Sequence, residues 1–220
     1  MGKLSINEIS RKLLHCLAVI LPISILYGPR FFWLSQPAVC LAICAMLLCC
    51  LVVEFTRFHV AGFGGFFNRL FGWMFREEEL KKVTGATYLM AGACICSLVA
   101  LKSQPAAAAA FLGLTLFILG DAAAALIGKA FGHVRIGRKT LEGSLGCYVV
   151  CVLLCGFIFP QLPTFIASWG GKLTIPQILL LATVVTLLEL LPIRLGRLTL
   201  NDNLYVPTLV ALVALIIRLI

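Results

Sequence analysis

Apolar runs follow one another along almost the whole of this chain, and their lengths restrict it to a fold inside a membrane. A membrane-spanning helix needs about 17–25 predominantly apolar residues. Seven runs approach or reach that length, at residues 13–27, 37–55, 84–101, 106–128, 141–161, 175–192 and 204–220. Hydrophobic residues make up 61% of the 220 residues, whereas soluble domains contain about 45–50%. We therefore predict an all-α, polytopic membrane protein with about seven transmembrane helices in one bundle. No long polar linker divides the sequence, so residues 1–220 are predicted to form a single domain.

The charged residues are distributed unevenly between the two sides of this predicted bundle. If the N-terminus is cytosolic, all 18 Lys and Arg residues except Arg30, Lys102, Lys172 and Arg218 fall in the N-terminal tail or in cytosolic loops. This is the positive-inside pattern, which sets the orientation of membrane proteins. The acidic residues other than Asp121 also lie on the cytosolic side or at cytosolic helix ends. The net charge of +9 therefore reflects topology rather than a nucleic-acid partner, and the gathered charges indicate a cytosolic reaction centre.

Asp121 interrupts the run at 106–128, which is otherwise uncharged. An ionisable side chain at that depth costs about 2.5 kcal/mol or more, so it usually faces a polar interior or a functional site. Ala124, Gly128 and Gly132 follow at helical spacing and form a stripe of small residues on the same face. Such stripes often serve helix packing in membranes, but packing gains nothing from a carboxylate. We predict that Asp121 belongs to the functional site.

A basic loop connects this run to the next one. It carries Lys129, His133, Arg135, Arg138 and Lys139 between and after two glycines. Arginine offers paired donors to phosphate oxygens, and lysine offers a compact charge. Positive-inside topology accounts for some of these cations, but it does not require the sequence RKTLEG at 138–143.

Together these residues resemble a known family signature. Asp121, Ala124, Gly128 and Gly132, followed by RKTLEG at 138–143, are similar to the DxxAxxxG…G…KKTxEG signature of CTP-dependent lipid kinases. That family includes dolichol kinases, phytol kinases and CTP-dependent diacylglycerol kinases. Arg138 replaces the first lysine of the signature, and the loop before it is shorter than usual. Three further blocks also resemble the family, namely EISRKLLH near the start, REEELKKVTGATYLM in the middle and ELLPIRLGRLTLNDNLYVP near the end.

The resemblance implies transfer of a phosphoryl group from CTP to the hydroxyl of a membrane lipid alcohol, such as a polyprenol, a diacylglycerol or a phytol-like alcohol. The implied catalytic residues are Asp121, Lys139 and Glu142, with Asp121 either a metal ligand or the base that orients the hydroxyl. The implied nucleotide and phosphate contacts are Arg11, Lys12, His15, Thr84, Gly85, Thr87, Gly128, Lys129, Gly132, Arg138, Thr140 and Asn203. The implied ligands of a divalent cation, Mg²⁺ or alternatively Ca²⁺, are Asp121, Glu189 and Asp202.

Two of these blocks also have a physical interpretation of their own. Thr84, Gly85 and Thr87 begin an apolar run, and the N-terminus of a helix favours an anion. Ordinary capping by Thr84 is the alternative. Asp202 and Asn203 supply oxygen ligands of the kind used by nucleotide-bound magnesium, and a turn with a helix cap is the alternative there.

Other features leave alternatives open. A phosphatidate cytidylyltransferase would also join CTP to a lipid, although the chain lacks the D-R-x-D-type motif of those enzymes, and a small transporter or assembly subunit is a further alternative. Residues 61–76 predict an amphipathic helix at the membrane interface or a plain connector. Glu54 can pair with Arg57 at i+3 and is left outside the predicted site. The ten cysteines lie mostly in apolar runs and are interpreted as packing residues. A bacterial inner membrane suits so short a chain, or the endoplasmic reticulum or another organelle if the source is eukaryotic.

Overall fold

Helices dominate the computed structural model, which describes residues 6–31, 33–72, 82–196 and 198–218. The helices are α1 (Ile6–Leu17), α2 (Ile20–Phe31), α3 (Gln36–His59), α4 (Ala61–Phe71), α5 (Gly85–Ala100), α6 (Gln104–Phe131), α7 (Leu141–Leu153), α8 (Pro163–Trp169), α9 (Ile175–Leu190) and α10 (Asp202–Ile217). A π-helical turn (Leu154–Ile158) and a 3₁₀ turn (Phe159–Gln161) continue α7. The described residues also form four short strands: β1 (Arg135–Ile136), β2 (Lys139–Thr140), β3 (Arg194–Leu195) and β4 (Leu198–Thr199).

The helices confirm an all-α, multi-pass membrane bundle. Within the described ranges, four helical stretches are long and apolar enough to cross a bilayer, namely Ser10–Phe31, Gln36–His59, Gln104–Phe131 and Leu141–Gln161. The other three predicted runs correspond to the shorter apolar helices α5, α9 and α10. The number of seven crossings and the cytosolic position of the N-terminus stay predictions.

The first predicted run differs from the expected single helix, because α1 and α2 are separate helices joined at Ala18 and Val19. At this joint the N–H groups of Ala18 and Val19 donate to the carbonyls of His15 and Cys16, three residues back. Pro22 gives the physical reason. A proline ring clashes with the carbonyl four residues before it, which here belongs to Ala18, so a continuous helix is disfavoured.

Two antiparallel β-hairpins form where loops were predicted. Arg135 pairs with Thr140 in one, and Arg194 pairs with Thr199 in the other. Gly137 and Gly196 adopt φ of 63° and 61° in the connecting turns, a left-handed conformation that tight hairpin turns require and glycine adopts without strain. The hairpins hold the basic loops in fixed positions at the ends of α6 and α9.

The core is centred on α6, whose residues from Ala106 to Ile118 are all buried. Helices α2, α5, α7 and α10 pack around it. Two glycines allow α5, α6 and α10 to approach at backbone distance. A Cβ atom added to Gly113 would lie 2.7 Å from the amide nitrogen of Ala211, and one added to Gly92 would lie 2.8 Å from the carbonyl oxygen of Asn203. Small residues serve such close contacts in membranes, and here they bring the starts of α5 and α10 beside the second half of α6.

The predicted interfacial segment is helical from Ala61 to Phe71 as α4, while residues 73–76 lie outside the described part of the chain. Phe66, Leu70 and Phe71 are exposed on this helix. Its position at the membrane interface stays a prediction.

Candidate functional site

A cavity of about 250 Å³ lies where α1, the second half of α6 and the starts of α5 and α10 meet. Eight of the predicted site residues line it: Arg11, Lys12, His15, Thr84, Gly85, Asp121, Asp202 and Asn203. Its remaining wall is largely apolar and is formed by Leu14, Ala18, Leu21, Ala86, Leu89 and Met90, together with Asn201. Residues from all four family-like blocks therefore meet at or next to one cavity.

A buried ion pair connects α1 to α6 at this cavity. The Nζ atom of Lys12 donates to Oδ2 of Asp121 at 2.6 Å, and the Lys12 side chain is only 3% exposed. Nε2 of His15 lies 3.3 Å from the same oxygen, within ion-pair distance but outside hydrogen-bond geometry. The ring of Phe117 packs edge-on against His15. Asp121 lies about 15 Å along the axis from the end of α6, so this pair is placed well inside the bundle.

Lys139 forms a second charged group beside the first. The β1–β2 hairpin directs its Nζ atom to Oε1 of Glu189 at 2.5 Å, to the carbonyl oxygen of Glu189 and to Oδ2 of Asp202 at 3.3 Å. Burial opposes the charged form of Lys139, but the Glu189 and Asp202 carboxylates outweigh burial and raise the pKa of Lys139 above its ordinary value. The lysine is therefore a cation at neutral pH that holds two carboxylates from different helices together.

The starts of α5 and α10 are joined at the cavity wall. Thr84 caps α5 by accepting from the N–H of Thr87, and Asn201 caps α10 by accepting from the N–H of Asn203. The side-chain amide of Asn203 donates to the carbonyl of Gly85 at 2.8 Å. Both capping alternatives named above are thus realised, and both helix N-termini still face the cavity, where their backbone N–H groups favour an anion.

Sequence reasoning left out a buried pair behind this wall, Glu54 and Arg57 on α3. Nη2 of Arg57 donates to Oε2 of Glu54 at 2.5 Å, and Oε1 of Glu54 accepts from the backbone and the hydroxyl of Thr84 and from the hydroxyl of Thr87. The i+3 pairing was visible in the sequence, but contacts across 30 or more residues were not. The sequence did contain one indication of a wider role for Glu54, because this acid stands at the end of an apolar run with cations nearby.

The other nine predicted site residues do not line the cavity in the described part of the chain: Thr87, Gly128, Lys129, Gly132, Arg138, Lys139, Thr140, Glu142 and Glu189. Thr87 faces Glu54 instead. Gly132 lies just past the end of α6, so the predicted glycine stripe does not continue along a helix there. The catalytic, nucleotide-binding and metal-binding roles assigned to these nine residues stay predictions.

Several of these residues attach the hairpin that carries Lys139. A Cβ atom on Gly128 would lie 2.5 Å from Oγ1 of Thr140, and one on Gly143 would lie 2.5 Å from the carbonyl oxygen of Ala124. Oε1 of Glu142 accepts from the backbone N–H groups of His133 and Val134 at 2.9 and 3.1 Å. Close packing and this carboxylate thus fix the hairpin on α6 and α7, and the predicted catalytic role of Glu142 is untested.

The carboxylates at the cavity are candidate ligands for a divalent cation. Asp121 and Asp202 offer carboxylates at the wall, and Oε2 of Glu189 is buried with no hydrogen-bond partner among the described residues. Within those residues, no group of three or more His, Cys, Asp or Glu side chains is arranged to hold a metal ion. Nucleotide-bound Mg²⁺ needs fewer protein ligands, because it takes one or two carboxylates together with phosphate oxygens and water. Glu189 lies behind Lys139 rather than on the wall.

Comparison with known proteins gives one partial similarity. The chain is 34% identical to a dolichol kinase from Saccharomyces cerevisiae over 102 residues, which cover 44% of this chain and 17% of the yeast protein. The similarity therefore extends over less than half of this chain and over a small part of that relative. No protein-family model matches the chain, and no solved structure does.

Proposed function

We propose that this chain is a CTP-dependent kinase that phosphorylates the hydroxyl of a membrane lipid alcohol at the cytosolic face of its membrane. The observation that carries the proposal is the buried Lys12–Asp121 pair in a cavity lined by both charged and apolar residues, which we assign to a polar end and an apolar end. The partial similarity to a yeast dolichol kinase supports the same chemistry. A bacterial inner membrane is the proposed location, with the endoplasmic reticulum or another organelle membrane as the alternative in a eukaryote.

The polar end of the cavity suits the phosphates of CTP. Arg11 and Lys12 supply cations there, and Thr84 and Gly85 begin a helix whose N-terminus attracts anions. Asp202, held by Lys139, and Asp121 are the residues that would hold a nucleotide-borne Mg²⁺. When bound, that ion supplies neutralisation of the charge on the transferring phosphoryl group.

The apolar end suits the acceptor lipid. Leu14, Ala18, Leu21, Leu89 and Met90 line the cavity next to Asp121, so a hydrocarbon chain can lie along them with its hydroxyl at the carboxylate. In the reaction, the hydroxyl oxygen bonds to the γ-phosphorus of CTP, the bond from that phosphorus to the β–γ bridging oxygen breaks, and CDP leaves with the electron pair. Asp121 either accepts the hydroxyl proton or binds the metal ion, and the residues around it fit both roles.

Labelled CTP provides the direct test. Purified protein in lipid vesicles, supplied with a polyprenol, a diacylglycerol or phytol, and in a separate sample with phosphatidate, is expected to move label from the γ-phosphate of CTP into the lipid alcohol only. Label at the α-phosphate is expected to stay in water-soluble CDP. Label that leaves as pyrophosphate while cytidine joins the lipid would contradict a kinase and support a cytidylyltransferase, and an absence of any lipid product would remove the proposal.

Filling the apolar end should weaken acceptor binding selectively. Ala18→Leu adds three carbons to the cavity wall and is expected to raise the KM for the lipid alcohol about tenfold or more, because single methylene changes in apolar pockets already have effects of this size. The KM for CTP is expected to stay unchanged. Steady-state kinetics against each substrate measures both values. Leu17→Phe, which adds bulk at a residue that is 69% exposed outside the cavity, is the matched control. An unchanged lipid KM in Ala18→Leu would exclude this wall from the acceptor path.

A further inference from the structure

We infer that Glu54 and Arg57 are positioning residues that hold the first turn of α5 in the geometry needed to bind the phosphates of the nucleotide. The inference rests on the proposed function, which assigns that turn to the donor. Neither residue lines the cavity among the described residues, so both act through the residues they hold.

The contacts of Glu54 are concentrated on this one turn. Its Oε1 atom accepts from the amide of Thr84 at 2.8 Å, from the hydroxyl of Thr84 at 2.7 Å and from the hydroxyl of Thr87 at 3.1 Å. All three residues are buried. A single carboxylate oxygen therefore fixes both the residue before α5 and a residue in its first turn, which lie 30 and 33 positions away in the sequence.

These contacts decide which groups of the turn face the cavity. Because both threonine hydroxyls donate their hydrogens to Glu54, those hydrogens point away from the cavity. Gly85 and Ala86 lie on the cavity wall instead. The first N–H groups of a helix have no carbonyl partner within that helix. The Glu54 contacts thus orient the beginning of α5 so that its backbone, rather than its hydroxyls, meets a phosphate.

Arg57 holds the other side of the same turn. Its Nη2 atom donates to Oε2 of Glu54 at 2.5 Å and to the carbonyl oxygen of Lys82 at 2.7 Å. The guanidinium lies 4.6 Å from the ring centre of Phe58 and 5.9 Å from that of Phe67 on α4. The pair therefore fixes the chain both before and after the start of α5, and aromatic rings cover it.

Stability alone is a poor explanation for this arrangement. Taking two charges out of water costs several kcal/mol for each ion, and buried ion pairs can often be replaced by apolar residues without loss of stability. A pair of this kind fixes geometry, since its hydrogen bonds are directional and a displaced partner leaves an uncompensated charge. The geometry it fixes here is the wall of the proposed donor site.

Kinetics of Glu54→Gln tests the inference. This variant keeps the shape of the side chain and removes its charge, and we expect the KM for CTP to rise about tenfold, the scale of one lost charge-assisted hydrogen bond. We expect kcat and the KM for the lipid alcohol to stay near the wild-type values. Restoring the carboxylate on a shorter side chain, in Glu54→Asp, is expected to recover part of the CTP affinity. If Glu54 had only a structural role, Glu54→Gln would instead lower the amount of active protein and leave the KM values for CTP and for the lipid alcohol unchanged.

Thr87→Val provides a second variant that leaves both buried charges in place. It removes one donor to Glu54 and is expected to raise the KM for CTP in the same direction but by less. The control is Thr56→Val, because the hydroxyl of Thr56 donates only within α3, to the carbonyl of Val52 at 2.8 Å. If the wild type is active and a folded Glu54→Gln or Thr87→Val variant has an unchanged KM for CTP, the inference is overturned while the proposed function stands. A wild type that phosphorylates no lipid alcohol would overturn the proposed function and the inference with it.

Discussion

Asp121→Asn is expected to lower the rate of lipid phosphorylation by about 100- to 10,000-fold, the range associated with losing a positioned acid–base group. The substitution keeps the size of the side chain and removes the negative charge that faces Lys12 and His15. Loss of activity is expected whether Asp121 takes the hydroxyl proton or binds the metal ion, since an amide does neither well. The measurement is transfer of γ-labelled phosphate from CTP to the lipid, with membrane insertion checked on the same preparation.

A paired variant separates this chemical role from simple charge balance. In Asp121→Asn the ammonium of Lys12 stays buried without its partner, and breaking a buried pair costs about 3–5 kcal/mol. Lys12→Met combined with Asp121→Asn removes both charges and is expected to recover much of the thermal stability in detergent. It is not expected to recover activity. Recovery of phosphorylation in the double variant, or full activity in Asp121→Asn, would mean that Asp121 only neutralises Lys12.

Lys139→Met is expected to reduce phosphorylation at least about 100-fold and to lower the thermal stability, because it leaves the buried carboxylate of Glu189 without its cation. Without the ammonium, the carboxylates of Glu189 and Asp202 lose the cation that both of them contact. Asp202 would then leave its position at the cavity wall. The pKa of Lys139 is raised in the folded protein. The charged lysine therefore contributes fully to stability at any pH below the ordinary lysine pKa of about 10.4. This contribution is lost only as the pH rises through the raised pKa. Titration of Lys139 itself should therefore not change the loss of stability in Lys139→Met between about pH 6 and 9.

Lys172→Met is the matched control, because Lys172 is exposed and remote from the cavity. It is expected to keep both the activity and the melting temperature of the wild type. Lys139→Arg tests geometry, since it keeps the charge but adds a planar group in a buried space, and intermediate activity is expected. Wild-type kinetics in Lys139→Met would remove this lysine from the proposed site.

The apolar runs and the buried charges were predictable from sequence because each is chemically unusual where it stands. Long uncharged stretches in a membrane must satisfy their backbone hydrogen bonds internally, which few folds allow, so the sequence predicted an all-α bundle. Asp121 stood out because a carboxylate inside such a stretch is costly. Arg11, Lys12 and His15 were associated with it through the family resemblance, and the structure brings all of them to one cavity with Asp121.

Other parts of the site depended on contacts that no local pattern contains. The interaction of Glu54 with Thr84 joins residues 30 positions apart, whereas its i+3 pairing with Arg57 suggested only a local role. Glu142 was grouped with the catalytic residues, but its carboxylate accepts from the backbone of a loop that folds back across it. Pro22 could have predicted the joint between α1 and α2, because proline disfavours a continuous helix. Hydropathy alone predicted one uninterrupted apolar run there.

The shape of the cavity depends on two positions where a side chain is missing. At Gly92 and Gly113 the backbones of α5 and α6 touch α10 with no room for even a methyl group. Neither glycine lies on the cavity wall, yet any larger residue at either would push the helices apart and change the shape of the cavity between them. The proposed site is therefore expected to be sensitive to substitutions at two positions that do not touch the cavity, because the helix packing there sets the shape of the wall.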